Sequence, residues 1–258
     1  ANGKVVWKQS LGDFKAGHSA TAAPLIAGDK VVIGVAGGEF GIVGMLRAFD
    51  AKTGKLVWER PTIEGHMGTL NGKPNGLTGK LNATWPGDLW KVGGGAPWNS
   101  GTYDHETKTL LWGTGNPAPW NSHTRPGDNL YAVSTIAVDP DTGKIKWHFQ
   151  YTPNDAWDYD GTNLTISFNK GDSKLAAHAD RNGFFYVLDR TNGNLKNAFP
   201  FIEKHSWASS IDLKTGRPVE TGMRPGNPAD SADGKKGKVI TVTPSFLGGT
   251  NWMPMAYS

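Results

Sequence analysis

Five short segments hold side chains whose types and spacing could do chemistry. Thr152-Pro153-Asn154-Asp155-Ala156-Trp157-Asp158-Tyr159-Asp160-Gly161 carries three carboxylates within six residues. Gly37-Gly38-Glu39-Phe40-Gly41 sets one acid among three glycines, and Gly113-Thr114-Gly115-Asn116-Pro117 holds an amide in a rigid Gly/Pro turn. Gly93-Gly94-Gly95-Ala96-Pro97-Trp98 puts an aromatic after a glycine run, and Asp180-Arg181-Asn182-Gly183 adds a guanidinium. Each segment alone also reads as an ordinary turn or solvated loop, and most of the eleven tryptophans must serve packing. Together, Glu39, Asn116, Asp158 and Asp160 offer only carboxylate and amide oxygens, a donor set that suits a hard cation and not zinc.

Other chemistries are excluded. The absence of Cys removes disulfides, thiolate zinc sites, iron–sulfur clusters and thiol nucleophiles. The seven histidines are scattered without ligand-like spacing. The acidic loop is not an EF-hand, because Ala156 and Ser167 fall at its first and last ligand positions. There is no Walker A motif, no G-x-G-x-x-G opening a helix, no G-x-S-x-G and no H-E-x-x-H. Charged residues make up 19% of the chain and the net charge of +4 comes from interspersed Lys and Arg. The one basic stripe, Lys235-Lys236-Gly237-Lys238, reads as a solvated loop, so no nucleic-acid partner is expected. No apolar run is long enough for a transmembrane segment, and no signal-peptide pattern opens the chain. Ala1 leads straight into a strand-like pattern and Tyr257-Ser258 ends an apolar-aromatic run, so a fragment of a longer protein is expected.

The elements that must position these residues are strands. Helical periodicity is nearly absent, whereas an alternating strand, a tight Asp/Gly turn and a second strand ending in Trp recur. The clearest copies are Leu46-Arg47-Ala48-Phe49-Asp50-Ala51-Lys52-Thr53-Gly54-Lys55-Leu56-Val57-Trp58 and Ile136 to Trp147. A third, Tyr186 to Leu195, lacks its Trp. A half copy opens the chain at Asn2 to Trp7, and degenerate copies run Ile211 to Gly216 and Tyr103 to Trp112. Asp accepts hydrogen bonds from the turn's own backbone, and Gly supplies the positive φ that closes it. Units of about 40–50 residues with a Trp signature predict a β-propeller, with roughly five blade equivalents in the chain.

The motifs then become recognisable. The chain resembles the pyrroloquinoline quinone (PQQ)-dependent alcohol dehydrogenases, the quinoprotein methanol and ethanol dehydrogenases. The resemblance rests on Gly-Gly-Glu-Phe-Gly at 37–41, Gly-Thr-Gly-Asn-Pro-Ala-Pro-Trp-Asn at 113–121 and Arg-Pro-Gly-Asp-Asn at 125–129. Trp-Asp-Tyr-Asp-Gly at 157–161, Asp-Arg-Asn-Gly at 180–183 and Phe-Leu-Gly-Gly-Thr-Asn-Trp-Met-Pro at 246–254 complete it in family order. It implies an all-β fold, a partial eight-bladed quinoprotein propeller with tryptophan-docking repeats. Residues 1–258 would form a single partial domain, about half of the parent catalytic domain, with the family's vicinal disulfide upstream of Ala1.

Carried over by residue, the resemblance makes Glu39 and Asn116 metal ligands and Asp158 the catalytic base and a further ligand. Trp98 becomes the floor under the quinone, Arg181 a catalytic neighbour of its carbonyls, and Thr21 a partner of a cofactor carboxylate. Gly37 and Gly38 bring backbone close to the cofactor, and Asn251 and Trp252 belong to the pocket. Within the family an Asp two residues after the base marks lanthanide use, so Asp160 favours a lanthanide over Ca2+; a trivalent ion favours an added carboxylate. The implied activity is oxidation of a primary alcohol, with electrons passing to cytochrome c in the periplasm, and the resemblance admits a homodimer. His148 to Pro153 and the Phe246-Leu247-Gly248-Gly249 segment point to the ethanol-type branch. Asn154 departs from the family's usual His, which predicts weaker support of the acidic loop. The competing class is a non-enzymatic propeller scaffold of the outer-membrane assembly type, which has no use for this set of site residues.

Overall fold

The structure is a computed structural model that describes residues 2–226 and 237–257; Lys235 and Lys236 of the basic stripe lie outside the described residues. Strands β1 (Leu25–Ala27), β2 (Lys30–Val35), β3 (Met45–Asp50) and β4 (Leu56–Pro61) form a first antiparallel meander. The hairpin of β5 (Met67–Leu70) and β6 (Lys73–Leu77) extends the same sheet to six strands. A second meander comprises β7 (Thr102–Asp104), β8 (Thr109–Gly113), β9 (Ser134–Val138) and β10 (Ile145–Gln150). A third comprises β11 (Ile166–Lys170), β12 (Ser173–Ala179), β13 (Phe184–Asp189) and β14 (Leu195–Pro200). A last hairpin pairs β15 (Ala208–Ile211) with β16 (Pro218–Glu220). The first strand of the second meander, β7, contacts the first strands of the other two, β1 and β11. Meanders joined radially through their first strands are the blades of a β-propeller.

The repeat chemistry is realised as expected. Asp50 Oδ1 accepts from the N–H groups of Lys52 (3.1 Å) and Thr53 (2.7 Å), and Asp139 Oδ1 does the same for Asp141 and Thr142. Gly54, Gly143 and Gly193 close these turns at φ of 70°, 71° and 79°. The indole of Trp58 then leaves its own blade: its Nε1 donates to the Pro140 carbonyl at 2.8 Å, and its ring lies on Gly143. Trp7 docks likewise on Gly54 and Trp147 on Gly193; a Cβ on any of the three glycines would stand within 2.6 Å of the ring. Each tryptophan thus covers the edge of the next blade, and fully buried Trp58 and Trp112 share one core with Leu46 and Ile136. The second core, around Trp147, Tyr151, Tyr186 and Trp207, fills the space between the second and third blades.

The number of blades differs from the roughly five expected: the described residues form three and one extra hairpin. Tyr103 to Trp112 is the β7–β8 hairpin inside the second blade, turned at Lys108 with φ 48° instead of at a glycine. Ile211 to Gly216 forms the turn of β15–β16, where Gly216 meets Phe149 and no tryptophan. The opening half copy carries no strand in the described residues and contributes its docking Trp7 alone. A four-stranded blade contains three hairpins, so turn signals overcount blades.

Topology also decides where the site is. In a four-stranded meander, the loop between strands two and three and the link to the next blade lie at one end, opposite the docking turns. Glu39 lies between β2 and β3, Asn116 between β8 and β9, and Arg181 between β12 and β13. Thr21, Trp98 and Asp158 lie in the links that precede β1, β7 and β11. All six therefore share one end of the propeller.

Candidate metal and cofactor site

The acidic loop is organised by its own first carboxylate. Asp155 is 2% exposed and accepts the N–H groups of Trp157 and Tyr159, each at 2.9 Å. This curls the chain so that Asp158 and Asp160 take left-handed φ of 64° and 49°, which Asp tolerates better than most side chains. The aromatics between them turn into the core, where the Trp157 and Tyr159 rings stack at 5.6 Å and the Tyr159 hydroxyl donates to the Pro244 carbonyl. Asp158 and Asp160 face a cavity instead. Of the three acids, Asp155 is the loop's internal cap, and the other two are left for chemistry.

Asp160 joins three segments. Its Oδ1 accepts the backbone N–H of Asn116 at 2.6 Å, and its Oδ2 pairs with Arg181 Nη1. Arg181 Nη2 bonds the Phe246 carbonyl and stands 3.6 Å from Asp158 Oδ2, while its buried Nε has no partner. Gly115 must be glycine here, because a Cβ would sit 2.8 Å from Asp160 Oδ1. One amide atom of Asn116 stands 3.1 Å from Glu39 Oε1 and the other 2.8 Å from Trp120 Nε1. Hydrogen bonding assigns nitrogen to the Glu39 side; a cation shared with Glu39 would reverse the amide.

A cavity of about 290 Å³ is lined by Thr21, Gly37, Glu39, Trp98, Asp158 and Asp160, with Ser19, Ala36, Phe40 and Ala96 completing the wall. The Thr21 hydroxyl donates to the Trp98 carbonyl, tying the two segments together. Asn116 and Arg181 join the site through Glu39 and Asp160. Close packing of backbone also requires glycine at both positions: a Cβ on Gly37 would lie 2.2 Å from the Gly17 carbonyl and one on Gly38 3.1 Å from the Gly94 Cα. Asn251 and Trp252 do not line this cavity. The Asn251 amide bonds within its own segment, and the Trp252 carbonyl accepts from Asn99, the neighbour of Trp98. A second cavity of about 520 Å³ shares Asp158 and is walled by Asn116, Trp120, Trp157, Phe246 and residues 238–242. Trp120 escaped the sequence reading as a site residue; its place four residues past Asn116 in the Pro-rich turn was the available signal.

Burial and repulsion dominate the electrostatics. Desolvation, then the Asp160 and Asp155 charges, push Asp158 up to about 8, against the opposing pull of Arg181. Desolvation likewise pushes Asp160 up to about 7 although Arg181 and the Asn116 N–H favour its charged form. Among the described residues, no three His, Asp or Glu side chains converge tightly enough to hold a metal unaided. The donor set nevertheless fits a hard cation supplemented by amide and cofactor oxygens: Glu39, Asp158 and Asp160 share the neighbourhood of one guanidinium, and burial, then neighbouring carboxylates, favour the protonated forms of Asp158 and Asp160 while no cation is bound. The half-buried Trp98 in the cavity wall fits a flat cofactor, and the Arg181 charge behind Asp158 and Asp160 fits an anionic one.

Asn154, where weaker support was expected, is itself well bonded. Its Nδ2 reaches the carbonyls of Arg125 and Gly127 (2.9 Å each) and Asn129 Oδ1 (3.0 Å), and its φ of 50° suits Asn.

Residues 1–218 match the family described as glucose/ethanol/alcohol dehydrogenase, β-propeller domain, of the PQQ type. The chain is 56% identical to quinoprotein alcohol dehydrogenase PedH of Pseudomonas putida, over 99% of this chain and 44% of that protein. It is 50% identical to a quinoprotein ethanol dehydrogenase of Pseudomonas putida (99% and 46% covered). To a lanthanide-dependent methanol dehydrogenase of Methylorubrum extorquens it is 38% identical (100% and 45% covered). Among solved structures, a europium-containing methanol dehydrogenase superposes with a TM-score of 0.86 at 36% identity, over 99% of this chain and 45% of that one. The chain spans less than half the length of these relatives. A scaffold role is not favoured, since the relatives are named as dehydrogenases. From its motifs, its propeller blades and these matches, the chain belongs to the β-propeller family of PQQ-dependent quinoprotein alcohol dehydrogenases.

Proposed function

We propose that the protein carrying this chain oxidises primary alcohols to aldehydes, with PQQ and a metal ion held in the cavity beside Asp158. One observation carries this reading: Thr21, Glu39, Trp98, Asp158 and Asp160, from four separate loops, line one cavity, with Asn116 and Arg181 bonded directly behind them. When bound, PQQ supplies a carbonyl that accepts hydride and the metal supplies Lewis acidity.

The chain's own residues do the remainder. Glu39 and the reoriented amide of Asn116 hold the cation, with Asp158 at its edge. Positive charge there favours the ionised Asp158, whose carboxylate takes the proton of the alcohol hydroxyl as general base. Trp98 offers its face to the cofactor ring, and Arg181, fixed by Asp160 and the Phe246 carbonyl, places a positive charge 3.6 Å from Asp158. The adjoining cavity, walled by Trp120, Trp157 and Phe246, gives the alkyl part of the alcohol an apolar surface that reaches Asp158.

The metal in this reading is a lanthanide in preference to Ca2+, supported by the charge of Asp160 and by the excess of carboxylates over cationic groups in the site. Delivery of electrons to cytochrome c and a periplasmic location belong to the same reading; no helix among the described residues is long and apolar enough to cross a membrane. The test is a PQQ titration of the full-length protein with lanthanum or calcium, following quenching of Trp fluorescence. Quenching that needs metal and is lost in Trp98→Ala is expected. Absence of quenching with both ions would remove the cofactor from this site.

A further inference from the structure

The motif Arg125-Pro126-Gly127-Asp128-Asn129 supplies none of the candidate metal or cofactor ligands, although Arg125 lies in the wall of the second cavity. Arg125 nevertheless lies at the junction of the two loops that the site depends on. The residue is 1% exposed, and its guanidinium bonds no carboxylate oxygen among the described residues. Its donors go to four acceptors. Nε bonds the Pro119 carbonyl at 2.6 Å and Nη2 the Trp120 carbonyl at 3.1 Å, both in the turn that follows Asn116. Nη2 also bonds the Asp155 carbonyl, at the root of the segment carrying Asp158 and Asp160. Nη1 bonds Asn129 Oδ1 at 2.8 Å.

The acceptors are themselves tied. Asn129, 0% exposed, returns its Nδ2 to the Arg125 carbonyl at 3.1 Å. Asn154 bonds the Arg125 and Gly127 carbonyls, and its own N–H donates to the Asp128 carbonyl at 3.2 Å. The two arms of this arrangement end on site atoms. On one side Trp120 Nε1 meets the Asn116 amide at 2.8 Å; on the other, the Asp155 carboxylate caps Trp157 and Tyr159 and so orients Asp158. A planar guanidinium can satisfy several carbonyls at fixed angles, which an ammonium on a flexible stem cannot.

We propose that Arg125 is a positioning residue: with Asn129 and Asn154 it locks the Asn116 turn to the Asp155–Asp160 loop and so sets the spacing of the metal-binding oxygens, without touching metal or cofactor. This rests on the metal site proposed above. The test uses the full-length protein and terbium as the probe metal, read by Trp-sensitised luminescence, alongside hydrogen exchange at the Asn116 amide. Arg125→Met and the charge-keeping Arg125→Lys are compared with Arg190→Met, a change to another buried arginine outside the site, paired with Asp104 and Glu106. Both Arg125 variants are expected to bind terbium about 10–100-fold more weakly and to exchange the Asn116 amide faster. Arg190→Met is expected to lower the melting temperature and leave both readouts unchanged. If Arg125→Met fails to fold, Arg125→Lys decides. Wild-type terbium affinity in a folded Arg125 variant would overturn the proposal, as would equal weakening in Arg190→Met. If the unmodified protein itself takes no terbium, the metal reading falls, and exchange at Asn116 alone decides whether the lock exists.

Discussion

The backbone N–H of Asn116 donates to Oδ1 of Asp160 at 2.6 Å, across 44 positions of sequence. Because the other oxygen of Asp160 pairs with Arg181, one buried carboxylate ties together a loop of the second blade, the link between blades and a turn of the third. Its charge and its geometry are therefore separable by substitution.

Asp160→Asn keeps an oxygen for the Asn116 N–H and tolerates the left-handed φ of 49°, but removes the charge. The ratio of lanthanum to calcium affinity, measured by calorimetric titration, is expected to fall about tenfold or more. An unchanged ratio would detach metal choice from Asp160.

Asp158→Asn is preferable to Asp158→Ala as a test of the base, because its φ of 64° suits Asn and strains Ala. The full-length enzyme is expected to lose about 10²–10⁴-fold in kcat with its melting temperature nearly unchanged. Retention of the parent kcat would take Asp158 out of the base role.

Both site acids are raised, Asp158 to about 8 and Asp160 to about 7. A raised carboxyl stabilises the fold fully below its ordinary value of 3.8 and loses that contribution as pH climbs through the folded value. Repulsion in the metal-free site should thus grow from pH about 4 to about 8. His148 and His205, held low by burial, work the opposite way, keeping their contribution above 6.5 and losing it as pH falls below 6.5 through their lower folded values. The quantity to read is therefore the shift in melting temperature on adding metal, which is expected to grow with pH across that range. A shift independent of pH would mean that the metal does not relieve these two carboxylates.

Gly143 is held at φ 71° beneath Trp58, and a Cβ there would stand 2.6 Å from the ring. Gly143→Ala is expected to cost about 1–2 kcal/mol for the backbone and about 1–3 kcal/mol more for overpacking. Gly28 has φ 63° and open space where its Cβ would go, so Gly28→Ala should carry only the first cost. Equal losses in thermal or urea melts would show that tryptophan docking does not hold the blades.

What the sequence determined on its own was local. Asp50, Thr53 and Gly54 make their turn with hydrogen bonds no more than five residues apart, so the hairpins and their docking tryptophans were legible. The hard-oxygen donor set was legible because side-chain chemistry does not depend on the fold. The end of the propeller shared by Glu39, Asn116, Asp158 and Arg181 follows from strand parity once the blades are drawn. Only the tertiary structure decided the rest: that the described residues form three blades, that Asp155 caps its loop while Asp158 and Asp160 face the cavity, that backbone packs against Gly37 and Gly38, and that Arg125 links two loops. These depend on how blades pack against each other across dozens of residues, and no spacing within one segment encodes that distance.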